Sequence, residues 1–347
     1  MTNFPLLITE WYQRNKRDLP WRSTKNPYHI WLSEIILQQT RIDQGLSYYH
    51  RFIDHYPDIH HLANADEQEV LRDWQGLGYY SRARNLHFTA RQISKERNGV
   101  FPGNYTELVK LKGVGPYTAA AIASFCFGEH RAVVDGNVYR VLGRFFDIEL
   151  PFDSGPGNKH YASLAQSLLP QKDHSTYNQA IMEFGALQCT PANPNCIECP
   201  LNHQCLALAN GTVTARPVKE GKTKIRKRYF DYYLFLQDGH VLLEKRTKKD
   251  IWQHLFQFPL IERSEVLSPK KSPAPIEGFQ ETHIFELPKH VLSHQHIFAR
   301  IWLASSFPDE DIWQNKNWIK VPLNELEKFP LPQLLHRFVQ NELENCV

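Results

Sequence analysis

Two glycines on either side of one valine, Gly113-Val114-Gly115, followed at once by Pro116, constrain this chain more than any other stretch. An apolar turn, Leu108-Val109-Lys110-Leu111, precedes them, and the Ala-rich run Thr118-Ala119-Ala120-Ala121-Ile122-Ala123 follows. Glycines there let the backbone turn tightly and come close to a partner. Proline suits the first turn of a helix, where its missing N–H costs nothing. The pattern predicts a helix, a tight hairpin and a second helix, with hairpin N–H groups and a helix N-terminus facing outward. Such a terminus attracts anions, and the repeated phosphates of a nucleic acid suit it. Alone, the hairpin also reads as an ordinary helix–helix turn. Asp135, however, follows between Val133-Val134 and Gly136-Asn137-Val138. A lone acid so close to a phosphate grip points to a place where positive charge develops.

The 347 residues suffice for two domains, each with its own core. Lys+Arg 40 against Asp+Glu 37 leaves a formal net charge of +3, so any basic footprint must be local. No apolar run is long enough to cross a bilayer, and Met1-Thr2-Asn3-Phe4-Pro5 lacks the pattern of a secretion signal. A cytoplasmic protein without a membrane partner is expected, and the absence of a transit peptide favours a bacterial cytoplasm.

Residues 4 to 17 have the spacing of a short amphipathic helix, broken by Leu19-Pro20-Trp21-Arg22. From Tyr28 to Arg41 helical spacing resumes, and Ile30, Glu34 and Gln38 share one face. Trp31, Leu32, Ile35 and Ile36 surround that face with apolar side chains. Glu34 therefore reads in two ways. It is either a solvated surface carboxylate or an acid enclosed in a pocket, its pKa raised so that it stays protonated for catalysis. A second carboxylate nearby would favour the pocket, and Asp135 is the candidate. Further helices are expected over 43–55, 67–71, 80–96, 137–147, 158–169 and 177–187. Gly76-Leu77-Gly78-Tyr79-Tyr80 is a flexible turn before two aromatics, each of which could pack in the core or wedge into a base stack. Strand alternation is absent before about residue 228, so the first two-thirds of the chain reads as all-α.

Cys189, Cys196, Cys199 and Cys205 are spaced C-x6-C-x2-C-x5-C in a loop rich in proline and asparagine. Four thiolates so close in sequence can curl round one centre and hold zinc or an iron–sulfur cluster. Only one pair has the C-x2-C knuckle spacing, which favours a 4Fe–4S cluster over zinc and places disulfides last. Residues 211–228 read as an exposed basic linker. Beyond it, Tyr229–Gln237 and His240–Arg246 are β-rich runs joined at Asp238-Gly239, a strong hairpin signal. An aromatic stretch at 251–259, a polar Pro/Ser-rich segment from Ser264 to Pro275, a strand over His290–Trp302 and a final amphipathic helix within 323–345 complete an α+β domain over 229–347.

These residues resemble the adenine DNA glycosylase family, which acts on adenine mispaired with 8-oxoguanine or guanine. The resemblance runs in order through Trp31-Leu32-Ser33-Glu34-Ile35-Ile36-Leu37-Gln38-Gln39-Thr40, Gly76-Leu77-Gly78-Tyr79-Tyr80, the Gly113-Val114-Gly115 hairpin, Val134-Asp135-Gly136-Asn137-Val138 and the cysteine loop. Hairpin, aspartate and cluster are shared with the wider endonuclease III superfamily. The fold implied is an all-α helix-hairpin-helix glycosylase domain with an iron–sulfur loop over 1–210, the 211–228 linker, and a C-terminal α+β Nudix-like domain over 229–347. That last domain would help to read 8-oxoguanine, although this chain has no acidic Nudix box with paired glutamates. By position, Glu34 resembles the general acid and Asp135 the carboxylate that stabilises the sugar cation, with Tyr117 and Asn137 as supports. Trp21 and Arg22 resemble the lining of the extruded-adenine pocket. Gln39, Thr40, Leu77 and Tyr79 resemble residues around the orphaned 8-oxoguanine, with Tyr79 as the wedge, and Ser293 matches the C-terminal reading loop. Gly113, Val114 and Gly115 would grip phosphate, and the four cysteines would carry a 4Fe–4S cluster. A monomer on double-stranded DNA is implied. That loop usually begins with Phe where this chain has Leu292, and the 251–259 stretch lacks the family's glycines.

Two other functions are open to such a chain. A glycosylase/lyase of the endonuclease III type, acting on oxidised pyrimidines, would use a Schiff-base lysine two residues after the second hairpin glycine, where Tyr117 stands here. A lesion-binding or architectural protein would bind in a salt-sensitive way without releasing a base. The pairing of Glu34 with Asp135 speaks against that.

Overall fold

The computed structural model describes residues 3–221, 224–264 and 282–343. Helices come first: α1 (Phe4–Asn15), α2 (Pro27–Ile36), α3 (Ile42–His55), α4 (Ile59–Asn64), α5 (Glu67–Asp73), α6 (Ser81–Glu96), α7 (Tyr105–Leu108), α8 (Pro116–Phe127), α9 (Gly136–Phe145), α10 (Gly155–Ser167), α11 (His174–Leu187) and α12 (Leu206–Ala209). Strands β1 (Arg226–Gln237), β2 (His240–Lys245), β3 (Phe256–Gln257), β4 (Leu260–Arg263), β5 (His283–Glu286), β6 (His290–Val291) and β7 (Gln295–Ala304) follow. Helix α13 (Glu310–Asn315), β8 (Trp318–Pro322) and α14 (Gln333–Glu342) end the described chain. The all-α first part and the α+β second part are as expected. Among the described residues no helix is long and apolar enough to cross a membrane.

Packing divides the chain into two compact units, Met1–Gly45 with Thr89–Lys222, and Leu46–Phe88 with Thr223–Val347. The division by sequence into 1–210, 211–228 and 229–347 keeps 46–88 with the other helices, whereas packing groups it with the sheet. Long-range polar ties account for this grouping. The Arg84 guanidinium donates to the Gln253 carbonyl at 2.7 Å, His254 meets Glu67 at 2.6 Å, and the Leu331 N–H donates to Gln75 at 3.0 Å.

In the first unit, α1, α9 and α11 pack together around Ile8, Trp11, Val141, Leu142, Ile181 and Phe184, with Phe4 and Phe145 ring to ring at 4.5 Å. Helix α2 is capped by Asn26, whose side chain accepts from the Tyr28 N–H, and Pro27 opens it. Tyr28 and every residue from Ile30 to Ile36 are buried, so α2 is apolar nearly all round and lies inside the unit. It ends at Ile36, short of the expected Arg41, because Gln39 takes a left-handed backbone (φ 58°) that an α-helix cannot continue.

In the second unit, the strand order is β3-β2-β1-β7-β5, with β4 also on β1, β6 on β7 and β8 on β2. Strands β1 and β7 are parallel from Arg226↔Gln295 to Phe235↔Ala304, and the other pairs are antiparallel. Tyr232 to Phe235 are buried in succession, as in a central strand covered on both faces. Asp238 and Gly239 both have positive φ, forming the tight hairpin their sequence predicts. The single strand expected over His290–Trp302 is instead a hairpin. It reverses at 292–294, where the Leu292 N–H donates to the Gln295 carbonyl at 2.8 Å. Pro330 and Pro332 break the last helical stretch, and α14 starts only at Gln333. Most of the Ser264–Pro275 segment and the end of the 323–345 stretch lie outside the described residues.

Candidate active site

The glycine hairpin takes the shape its sequence requires. Gly113 has φ +79°, Val114 is buried beneath the turn, and the Val114 N–H donates to the Leu111 carbonyl at 3.1 Å. The helix before it is only the one-turn α7. Gly115 is the N-cap of α8 and makes no side-chain cap bond, so the first turn of α8 keeps its N–H groups without a side-chain cap. A Cβ on Gly115 would meet no atom within 4 Å. Its glycine is thus not demanded by the chain's own packing, and the space above it is open to a ligand.

Asp135 is the N-cap of α9. Its Oδ1 accepts from the Val138 N–H at 2.8 Å and its Oδ2 from the Asn137 side-chain amide at 2.7 Å. Burial pushes its carboxyl above the usual range, and the bonds from Val138 and Asn137 with the charge of Arg140 work against that rise. Glu34 approaches from α2 and is only 9% exposed. Burial raises its pKa to about 7; the charge of Asp135 adds to the rise, while a hydrogen bond from Tyr117 and the charge of Arg22 oppose it. Burial thus raises both carboxyls, and Asp135 alone is hydrogen-bonded by the Val138 N–H and the Asn137 amide, which oppose the rise. Tyr117, on the first turn of α8, has its own phenol pushed well up by burial and by both acids.

Both acids line one cavity of about 570 Å³ in the first unit. Trp21, Arg22, Thr40, Tyr117 and Asn137 line it as well, so seven of the residues singled out from sequence meet there. Arg22 is anchored by Glu183, a carboxylate 1% exposed on α11, which also takes three N–H donors from Arg17. Burial pushes Glu183 up, but the bonds from Arg17 and Arg22 outweigh it and bring the carboxyl to about 2. Sequence reasoning missed Arg17 and Glu183, although an acid inside the apolar run Ala180-Ile181-Met182-Glu183-Phe184 was a signal.

Arg140 and Arg144, one turn apart on α9, link the cavity to the cysteine loop, and sequence reasoning missed both. Arg140 donates to the Asn137 side-chain oxygen at 2.8 Å, to the Gly185 carbonyl at 2.6 Å and to the Cys189 carbonyl at 2.7 Å. Buried Arg144 donates to the carbonyls of Thr190 and Pro191 and lies 3.4 Å from the Cys189 sulfur. Gly185 is needed for this fit, since a Cβ there would come within 2.7 Å of Asn137. Cys189, Cys196, Cys199 and Cys205 are all free thiols. Burial pushes Cys199 up to about 12, and the neighbouring cysteines add to the rise. Among the described residues, no three or more His, Cys, Asp or Glu form a group that could hold a metal ion as placed.

The remaining residues singled out from sequence lie elsewhere. Gln39 is exposed at the left-handed turn after α2, and Gly113, Val114 and Gly115 are outside the cavity lining. Leu77 and Tyr79 belong to the second unit. Leu77 is buried, Tyr79 is 44% exposed at φ 48°, and Tyr80 is 3% exposed. Of the two aromatics, then, Tyr80 is core and Tyr79 is presented, with the Arg82 guanidinium over its ring and donating to the carbonyls of Leu77 and Gly78. Ser293, also in the second unit, is exposed in the turn between β6 and β7, 3.2 Å from the His294 ring nitrogen.

Residues 32–151 match the HhH-GPD superfamily base excision DNA repair proteins, and residues 232–341 match the NUDIX domain. The chain is 36% identical over 325 residues to an adenine DNA glycosylase of Buchnera aphidicola subsp. Baizongia pistaciae, covering 89% of this chain and 90% of that one. It is 31% identical to the adenine DNA glycosylase of Buchnera aphidicola subsp. Acyrthosiphon pisum, covering 97% and 98%. Among solved structures, a thermostable thymine-DNA glycosylase superposes with a TM-score of 0.56 at 30% identity, over 60% of this chain and 95% of that one.

Proposed function

We propose, from the premise that this chain belongs to the adenine DNA glycosylase family, that it removes adenine mispaired with 8-oxoguanine or guanine in double-stranded DNA. The observation that carries this reading is the convergence of Glu34 and Asp135 on one cavity, with Glu34 held near 7. Adenine joined through N9 leaves poorly until its ring is protonated, and N7 is the site open to an acid. An enclosed Glu34, still protonated in about half the molecules at pH 7, supplies that proton. The C1′–N9 bond then breaks, and its electron pair leaves with the base. The sugar becomes oxocarbenium-like, and the Asp135 carboxylate stabilises it electrostatically or traps it at C1′. Water adds at C1′ as the final nucleophile, its proton passing to the Glu34 carboxylate left after protonation of the base, and leaves an abasic sugar, as in glycoside hydrolysis by two carboxylates. Neither N7 nor C1′ is reachable in a stacked duplex, so the adenosine must be flipped into the cavity.

Tyr117 and Asn137 hold the two acids through the bonds described. Trp21 and Arg22 flank the flipped base, with Glu183 and Arg17 fixing Arg22. The Gly113–Gly115 hairpin and the start of α8 grip backbone phosphate beside the lesion. Leu77, Tyr79, Gln39, Thr40 and Ser293 attend the orphaned 8-oxoguanine, with Tyr79 as the wedge. Cys189, Cys196, Cys199 and Cys205 would hold a 4Fe–4S cluster once drawn together: all four are free thiols of one short loop that Arg140 and Arg144 tie to α9, and as placed they do not yet form a metal-holding group. When bound, the cluster supplies iron–thiolate bonds that pin the loop on which Arg140 and Arg144 rest.

The lyase reading finds less support. Tyr117 is a phenol, and no lysine is among the described residues lining the cavity. The test is a panel of duplexes carrying A:8-oxoguanine, A:G, T:G or an oxidised pyrimidine, treated with alkali, with a borohydride arm. Alkali-revealed adenine loss from the first two supports the proposal. A borohydride-trapped complex on the oxidised pyrimidine would replace it with the lyase.

A further inference from the structure

Arg228 stands near the start of β1, 3% exposed, with its guanidinium fully engaged. Its Nε and Nη2 donate to Glu262 at 2.7 and 2.5 Å, Nη1 and Nη2 to Asp250 at 2.8 and 2.7 Å, and Nη1 to the Gln295 Oε1 at 3.1 Å. Arg246 joins the same hub through Asp250, the Gln257 side chain and the Ile251 carbonyl. Burying so many charges adds little net stability, and its best-attested use is to fix a geometry.

Gln295 carries that geometry outward. Its side chain is buried against Arg228, while its backbone carbonyl closes the exposed 292–294 turn by accepting from the Leu292 N–H. On the other side the Arg226 N–H donates to the His294 carbonyl at 3.0 Å, two residues before Arg228. The hub also braces the hairpin from a second direction. Asp250 and Ile251 lead into Trp252, whose backbone is left-handed (φ 59°) and whose ring meets the His290 ring at 5.7 Å. Left-handed backbone at a tryptophan persists only where surrounding bonds impose it. Val291, at 59% exposure, and Ser293 and His294 stand at the rim of this braced frame.

We propose that Arg228 and Gln295 are positioning residues for opposite-base reading: they hold the 292–294 turn in one orientation and so set the preference for 8-oxoguanine over guanine opposite adenine. This rests on the reading of Ser293 as a contact to the orphaned base. The experiment uses the full chain with its cluster. It measures single-turnover adenine release and duplex affinity on A:8-oxoguanine and A:G for wild type, Ser293→Ala, Gln295→Met, Gln295→Glu and the Ser293→Ala/Gln295→Met pair.

Gln295→Met is expected to lower the A:8-oxoguanine to A:G ratio by roughly tenfold, the worth of one hydrogen bond to a charged group. The loss falls mainly in the A:8-oxoguanine arm. Gln295→Glu, still an acceptor for Arg228, restores most of the ratio, which a merely space-filling role would not require. The double variant is no worse than the more affected single, because both act through one contact. Hydrogen exchange at the Leu292 amide quickens in Gln295→Met and not in Gln295→Glu. Arg228→Lys, which keeps the charge and loses the fork, repeats the effect without the two unpaired carboxylates that a neutral residue would leave. If Ser293→Ala leaves the ratio unchanged, the reading of Ser293 fails and the proposal with it. If Ser293→Ala lowers the ratio but Gln295→Met does not, or if their effects add, the positioning role alone is overturned.

Discussion

Raising the pH through the range where Glu34 titrates should switch off base loss while the fold persists. Burial dominates its environment, and the balance leaves its pKa at about 7. If the acid form is required, half the molecules are competent at pH 7 and about one in thirty at pH 8.5. The single-turnover rate then falls roughly sixteenfold across that window. The same displacement bears on stability. A folded-state pKa above the ordinary carboxyl value means that the contribution of Glu34 is fully present below the unfolded value, near 4.5, and is lost as the pH rises through about 7. At pH 8, holding the ionised form inside the cavity costs on the order of 3 kcal/mol. Glu34→Gln has no charge to bury. It should melt higher than wild type at pH 8 by roughly 5 °C or more, with the gap narrowing toward pH 5, while excising scarcely any adenine. Single-turnover adenine release from an A:8-oxoguanine duplex and thermal melts, both from pH 5.5 to 9, test this together. A flat rate between pH 7 and 8.5, or a Glu34→Gln variant that melts below wild type at pH 8, would refute the reasoning.

Removing the Tyr117 hydroxyl with Tyr117→Phe deletes a bond that lowers the Glu34 pKa, so the alkaline limb of the rate profile should move to higher pH. Asp135→Asn keeps an N-cap acceptor, so its stability should stay within about 1 kcal/mol of wild type. Binding to the mismatch should persist, while base loss falls on the order of a hundred- to a thousandfold; equal losses in binding and rate would contradict the assigned role. Gly115→Ala places its Cβ in open space, so melting should not change. Duplex affinity should nevertheless weaken by roughly tenfold if a phosphate occupies that space. Purified protein should carry about four irons per chain and be coloured, and Cys199→Ser should lose both iron and thermal stability; colourless protein holding zinc would overturn the cluster.

What was legible in the sequence was local. The Gly113-Val114-Gly115 turn, the Asp238-Gly239 hairpin and the unusual acids Glu34 and Asp135 each have a signature within a few residues. The two acids could be paired before any coordinates because Glu34 looked out of place in an apolar helix and Asp135 beside a phosphate-gripping hairpin. What was illegible depends on partners distant in sequence. Glu183 drew no attention in the sequence, because the Arg17 and Arg22 that fold onto it lie more than a hundred residues away. Arg140 and Arg144 went unremarked because only the return of the cysteine loop gives them carbonyls to bind. The early end of α2 turns on the backbone of Gln39, a residue with little preference for a left-handed conformation. The grouping of 46–88 with the sheet likewise follows from ties such as Glu67 to His254 that no local pattern announces.

Adenine whose N7 is replaced by carbon, placed opposite 8-oxoguanine, tests the central claim most directly. It keeps the shape of the base and its N9 linkage but removes the atom that Glu34 is argued to protonate. The duplex should bind about as tightly as the natural mismatch and release no base at the rates measured for adenine. Release at an undiminished rate would mean that Glu34 and Asp135 do not divide the work of freeing a flipped purine as argued.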